Sequence, residues 1–120
     1  MTIFFRAAEL SNDELTEKPL EQPTAQSLSG EITTRSHVFF KGEEQPITAG
    51  TWECEPGRSR WEFMTRGEVI HVLSGRMTVE QDGGETLELT AGSSAVFPVG
   101  WCGFWTVHET LRKVFVIYGA

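Results

Sequence analysis

The sequence predicts an all-β domain, an antiparallel barrel or sandwich preceded by an extended N-terminal arm. Three observations predict it. From His37 onward the chain breaks into short runs rich in Val, Ile, Phe, Trp and Thr. Clusters of Gly, Pro, Asp and Ser separate those runs, and each is a turn signal. No stretch of helical periodicity interrupts the pattern. At 120 residues the chain has room for one core and not two. The expected division is an arm over residues 1–30 and one barrel domain over residues 31–120.

The arm comes first. "ELSNDELTEKPLEQ", residues 9–22, carries five acids and one base, and Ser11 with Glu14 fits a capping box for a single helical turn. Pro19 and Pro23 argue against its continuing. "TAQSLSG" has little period of either kind, so residues 1 to about 30 are read as an extended arm or docking segment, ordered by whatever it packs against. The strand runs follow. "HVFF", "ITAGTWECE", "RWEFMT", "EVIHVL", "RMTVEQ", "ETLELT", "SAVFP", "CGFWTVHE" and "RKVFVIY" make about eight or nine short strands. The clearest hairpin joins "RMTVEQ" to "ETLELT", because Asp82-Gly83-Gly84 supplies residues that tolerate positive φ. Within it Met77, Val79, Leu87 and Leu89 alternate with polar neighbours, so one face is expected to be buried and one wet.

Composition removes several classes of function. Seventeen acids against ten bases leave a formal charge of −7, which repels a phosphate backbone and sets nucleic acid aside as a partner. No apolar run approaches the roughly 20 residues of a membrane helix. "MTIFFRAAEL" has too short an apolar core and too weak a basic lead for a signal peptide, so a cytoplasmic location is expected. Cys54 and Cys102 are too few for a disulfide framework and are read as structural thiols.

Two motifs then carry a resemblance. In "PGRSRWEFMTRGEVIHVLSG" Glu68 is followed after six residues by Gly75, and in "AGSSAVFPVGWCGFW" Gly92-x5-Pro98-x-Gly100 recurs at a hairpin's distance. In these features residues 56–118 resemble the cupin superfamily of RmlC-like, jelly-roll β-barrels. Within it the chain is most similar to the small single-domain subgroup around ethanolamine-utilisation protein Q and ureidoglycine aminohydrolase. "GTWECEPG", "HVLSGRMTV" and "FPVGWCGFWTVHETLRKVFVIY" carry that closer likeness. The resemblance implies a barrel that commonly pairs as a homodimer and hosts many unrelated chemistries.

It also implies a metal site of three histidines and one glutamate, and here the sequence departs. The two permitted spacings place the histidine pair at Trp61 and Phe63, or at Glu62 and Met64. Gly103 stands where the last histidine belongs, so only Glu68 survives. His71 is three residues from Glu68, an odd separation that sends the two side chains to opposite faces of a strand. His108 is directed away by the same parity, and His37 has no partner at ligand spacing. No metal and no cofactor are therefore expected. The alternative is a divalent ion at Glu68 with Glu62 and Cys102. Alternation sends Trp101, Gly103, Trp105 and Val107 to one face. The residues expected to line a pocket are Trp61, Phe63, Glu68, Gly103 and Trp105, with the aromatic rings filling the barrel bottom.

Glu68 is the single candidate catalytic residue. A carboxyl among aromatic rings is disfavoured in its charged form unless a cation offsets the burial, and such tuning suits a general acid or base. The plainer reading pairs it with an arginine or with Lys113, tying two strands together. Arg58, Arg60 and Arg66 flank the mouth, where they are solvated or attract a carboxylate- or phosphate-bearing ligand. Three functions follow from these residues and the resemblance. The first is a metal-free barrel that binds a small molecule. The second is a metal-dependent enzyme acting on C–N bonds of ureides or amines, and the third a structural or regulatory homodimer with an exchanged arm. Whether any reaction is catalysed stays open at this level.

Overall fold

Alternating side chains and intervening turns become antiparallel strands in the computed structural model, which describes residues 1–20 and 24–119. Pro23, expected to limit the helical turn, lies outside the described residues. Nine strands form among the described residues. They are β1 (Thr16–Pro19), β2 (Ala25–Ser27), β3 (Thr33–Lys41), β4 (Ile47–Cys54), β5 (Gly57–Glu62), β6 (Gly67–Gln81), β7 (Thr86–Thr90), β8 (Ser94–Phe97) and β9 (Cys102–Tyr118). Only two single 3-10 turns, Ala7–Glu9 and Asn12–Glu14, are helical, and the second carries the expected Ser11–Glu14 capping box. No helix among them is long and apolar enough to cross a membrane.

β9 is the spine of the curled sheet. One of its edges pairs along its length with β6, while the other pairs with β5 through Cys102–Val107 and with β4 through Leu111–Tyr118. The sheet continues from β4 to β3 and β1, and from β5 to β2; β7 and β8 flank β6. Residues 1–30, expected to form an arm, thus contribute two strands at the ends of this path. An extended segment does so because a neighbouring strand supplies the hydrogen bonds it cannot make alone.

Two expected turns are absent. "EVIHVL-SG-RMTVEQ" is one 15-residue strand, and "CGFWTVHE" runs on into "RKVFVIY" as one 17-residue strand. Ser74-Gly75 is instead a bulge, with register shifts against β9 between Val72 and Met77. Its effect is read in the burial pattern. Glu68, Ile70 and Val72 point inward before the bulge, and Met77 and Val79 after it, so the inward parity changes from even to odd. A one-residue slip reverses faces, and the bulge lets one strand serve both halves of the barrel. "PGRS", read as a turn, opens β5 at Gly57, and Phe63 lies just beyond its end.

The hairpin between β6 and β7 has the expected register, with Met77 opposite Leu89 and Val79 opposite Leu87, and Gly83 takes a φ of +64°. Leu87 departs from the expected buried face: it lies 41% exposed, one pair from the turn end of the hairpin. The first residues close over the outside of the sheet. Phe5 meets Phe39 edge-on at 4.1 Å, and Arg112 donates to the carbonyls of Ala7 and Leu10 at 3.1 and 2.6 Å. Arg112 points outward by the parity of β9, and this cover is why it is nonetheless buried.

Candidate functional site

The inward residues of β9 after its midpoint are Leu111, Lys113, Phe115 and Ile117, three apolar side chains and one ammonium. Lys113 is 1% exposed and Glu68, near the start of β6, is 4% exposed. Lys113 lies opposite Val72 in register, and its long side chain reaches past that position to donate to Glu68 Oε2 at 2.8 Å. Of the readings open for Glu68, the structure contains the pairing with Lys113. Arg112 instead meets Glu53, and Glu109 meets Arg76.

Three indole rings surround the ammonium. Lys113 Nζ lies 4.3 Å from the ring centroid of Trp52, 4.6 Å from that of Trp105 and 5.9 Å from that of Trp61. Trp61 and Trp105 stack at 3.8 Å, and Trp52 meets both edge-on. A negative ring face attracts a cation most strongly where water is excluded. The indole N–H of Trp61 donates to Ser59 Oγ at 2.7 Å, whereas that of Trp105 has no partner among the described residues. Phe63, Phe97 and Trp101 extend the aromatic stack away from the ammonium.

Beside the ion pair lies a cavity of about 240 Å³. Trp52, Trp61, Phe115 and Ile117 form its apolar wall, with Val38 near the rim, and Ser36 and Thr48 add hydroxyls. Its charged lining is Lys113, Glu68, Arg66 and Lys18. The three arginines of the expected mouth separate here. Arg60 makes a bidentate pair with Asp82 at 2.7 and 2.6 Å, which holds the Asp82 carboxyl below its usual range. Arg58 lies over the Phe104 ring at 4.4 Å and pairs with Glu80 at 3.7 Å. Arg66 lines the cavity, and its buried Nε has no partner among the described residues.

Of the residues expected to line a pocket, Trp61 and Glu68 face this cavity. Trp105 is fully buried behind Trp61 and beneath the ammonium, and Phe63 lies one stacked ring further on. Gly103 is elsewhere. A Cβ on it would collide with the Glu80 carbonyl oxygen and would approach the Trp101 ring to 2.6 Å. The position that holds a ligand histidine in the resemblance is therefore closed by backbone and indole. Lys113, Trp52, Arg66 and Phe115 were missing from the expected lining. The alternation of β9 was the available signal for Lys113 and Phe115, since both keep the parity of Trp105.

The residues present do not fit a transition metal. Among the described residues no three His, Cys, Asp or Glu side chains come together. Glu62 pairs with Arg60 at 3.4 Å, and Cys102 Sγ lies 4.0 Å from Met64 Sδ, so neither joins Glu68. His71 and His108 are exposed and bonded to Ser94 and Thr78. A metal at Glu68 would also face the Lys113 ammonium, a like charge. Cys54 is buried, and burial pushes its thiol up to about 12, against a smaller opposing effect of Lys113. It is an inert packing group at neutral pH.

The family model described as EutQ-like cupin domain matches residues 41–115. Comparison with curated proteins returns no match. Among solved structures, the fold is similar to a protein of unknown function of the DUF861 family from Pseudomonas syringae pv. tomato. Their TM-score is 0.75 at 20% identity, over 86% of this chain and 43% of that one. A EutQ protein from Clostridium difficile aligns with a TM-score of 0.63 and 22% identity, over 74% of this chain and 70% of that one. A protein of unknown function from Rhizobium leguminosarum aligns with a TM-score of 0.60 and 27% identity, over 72% and 82%. The chain thus spans less than half the length of the first of these neighbours.

Proposed function

The chain belongs to the family of EutQ-like cupin domains, and from that premise we propose that it is a metal-free cupin binding a small molecule beside the Lys113–Glu68 pair. One observation carries the reading: a buried ammonium, caged by Trp52, Trp61 and Trp105, pairs with Glu68, the one residue of the implied metal-ligand set that the sequence keeps, and a cavity of about 240 Å³ adjoins it. The lysine supplies a fixed positive charge without ligand exchange or redox chemistry. Glu68 neutralises that charge and remains the polar anchor toward the cavity. A buried ion pair contributes little net stability compared with apolar packing, so a task facing the cavity accounts for it better than stability does. The volume is below the roughly 300 Å³ of drug-sized pockets, which favours a compact ligand.

The alternative, cleavage of C–N bonds in ureides or amines, rests on the resemblance and needs a metal that this donor set does not suit. An amine ligand is further disfavoured because Lys113 already fills the aromatic cage. The test is a panel of small metabolites screened by saturation-transfer NMR against the wild-type protein and against Glu68→Gln and Trp52→Ala. Compounds that bind the wild type and weaken in both variants support the reading. If every bound compound is indifferent to both substitutions, the cavity is not the binding site. Stoichiometric metal in protein purified from metal-rich medium would likewise overturn the metal-free reading.

A further inference from the structure

Three basic side chains, Arg66, Lys113 and Lys18, line the cavity against one acid, Glu68, in a chain whose acids outnumber its bases by 17 to 10. Lys113 is neutralised by Glu68 at 2.8 Å. Arg66 makes no ion pair among the described residues, and its Nε is buried without a hydrogen-bond partner. An orphaned buried donor is costly, and the acceptor that best matches a guanidinium is one with negative charge. Resting on the binding reading above, we infer that the ligand is a small organic carboxylate, its carboxylate on Arg66 and its apolar body against Trp52, Trp61 and Phe115. The apolar wall selects against a bare inorganic anion, which would gain nothing from it. With Lys113 neutralised by Glu68, the charges of Arg66 and Lys18 select against an amine. Arg66 precedes β6 by one residue, so the segment that delivers Glu68 into the barrel also sets the arginine at the cavity. Within an otherwise acidic molecule, this local surplus of positive charge attracts an anion at close range.

The probe is benzoate, whose planar ring suits the indole-lined wall, with benzamide and benzylamine as neutral and cationic counterparts. Binding is read from tryptophan fluorescence, since Trp52 and Trp61 line the cavity, and by calorimetry. Benzoate is expected to bind about tenfold or more tightly than either counterpart, the size of one charge-assisted hydrogen bond. Arg66→Gln should weaken benzoate by about the same factor and leave the melting temperature near that of the wild type. Should that variant fold poorly, Lys18→Gln at the exposed rim is expected to weaken benzoate severalfold. Benzamide binding as well as benzoate, or benzoate binding unchanged in Arg66→Gln, overturns the carboxylate while leaving the binding cavity intact. Inorganic phosphate displacing benzoate at equal concentration overturns the organic-carboxylate class in favour of a general anion site. If none of the three probes binds, the carboxylate assignment fails, and the metabolite panel separately decides whether the cavity binds anything.

Discussion

Lys113 Nζ lies 2.8 Å from Glu68 Oε2, with the two side chains 2% and 6% exposed. The pair joins β9 to the start of β6 from residues 45 apart in the chain. Removing one partner leaves the other charge buried without its mate. Lys113→Met and Glu68→Gln should each lower stability by about 3–5 kcal/mol, the usual cost of breaking a buried pair. The double variant should lose distinctly less than the sum. Urea denaturation of the four proteins checks this through a double-mutant cycle; additive losses would mean the two groups are not coupled.

Gly103 stands where the resemblance implies a metal-binding histidine, yet the site around it has closed. Gly103→Ala should destabilise by about 1–3 kcal/mol, because the new methyl group meets the Glu80 carbonyl and the Trp101 ring. Gly103→His should destabilise at least as much and gain no affinity for zinc or nickel by calorimetry. A tight one-to-one metal complex in that variant would contradict the closed geometry.

The two thiols should differ sharply. Cys54 is 2% exposed with its thiol pushed up to about 12, while Cys102 is partly exposed. A colorimetric disulfide reagent at about pH 8 should titrate one thiol in the native protein and two in denaturant. Rapid reaction of both in the native state would contradict the packing around Cys54.

Glu55 accepts from Arg35 at 2.7 Å and from Thr110 at 2.9 Å, and these bonds hold its carboxyl below the ordinary value of 4.5. A depressed carboxylate adds stability above its unfolded pKa and loses it as the pH falls through its folded pKa. Glu55→Gln should therefore melt below the wild type at about pH 6, with the gap narrowing below about pH 4.5. Thermal melts across that range check the sign; a gap that widens toward acid would reverse it.

Local residue chemistry conveyed much of the fold but not its connectivity. Ser74-Gly75 reads as a turn because Gly75 needs a positive φ, and it does take +87°. A bulge makes the same demand. What distinguishes them is β9, whose Leu111 Cα would lie 2.7 Å from a Cβ at position 75. That close approach joins residues more than thirty apart, and no local pattern conveys it. The same holds where Thr110 and Leu111 continue β9 rather than interrupt it. Residues 16–19 and 25–27 show no strand period, yet they become strands because β3 and β5 offer them free edges.

The sequence by itself determined the all-β class, the tight hairpin at Asp82-Gly83-Gly84, the inward face carrying Trp101, Trp105 and Val107, and the loss of the imidazoles. Each of these depends on residue identity and short-range parity, which the chain carries in any conformation. Only the tertiary structure decided that Lys113 is the partner of Glu68 inside a cage of three indoles. It alone separated Arg66 at the cavity from Arg58 and Arg60, and it alone closed the space at Gly103. These are matters of distance between groups far apart in the chain. They are set when β9 aligns β6 on one edge with β4 and β5 on the other, and a bulge turns the second half of β6 inward.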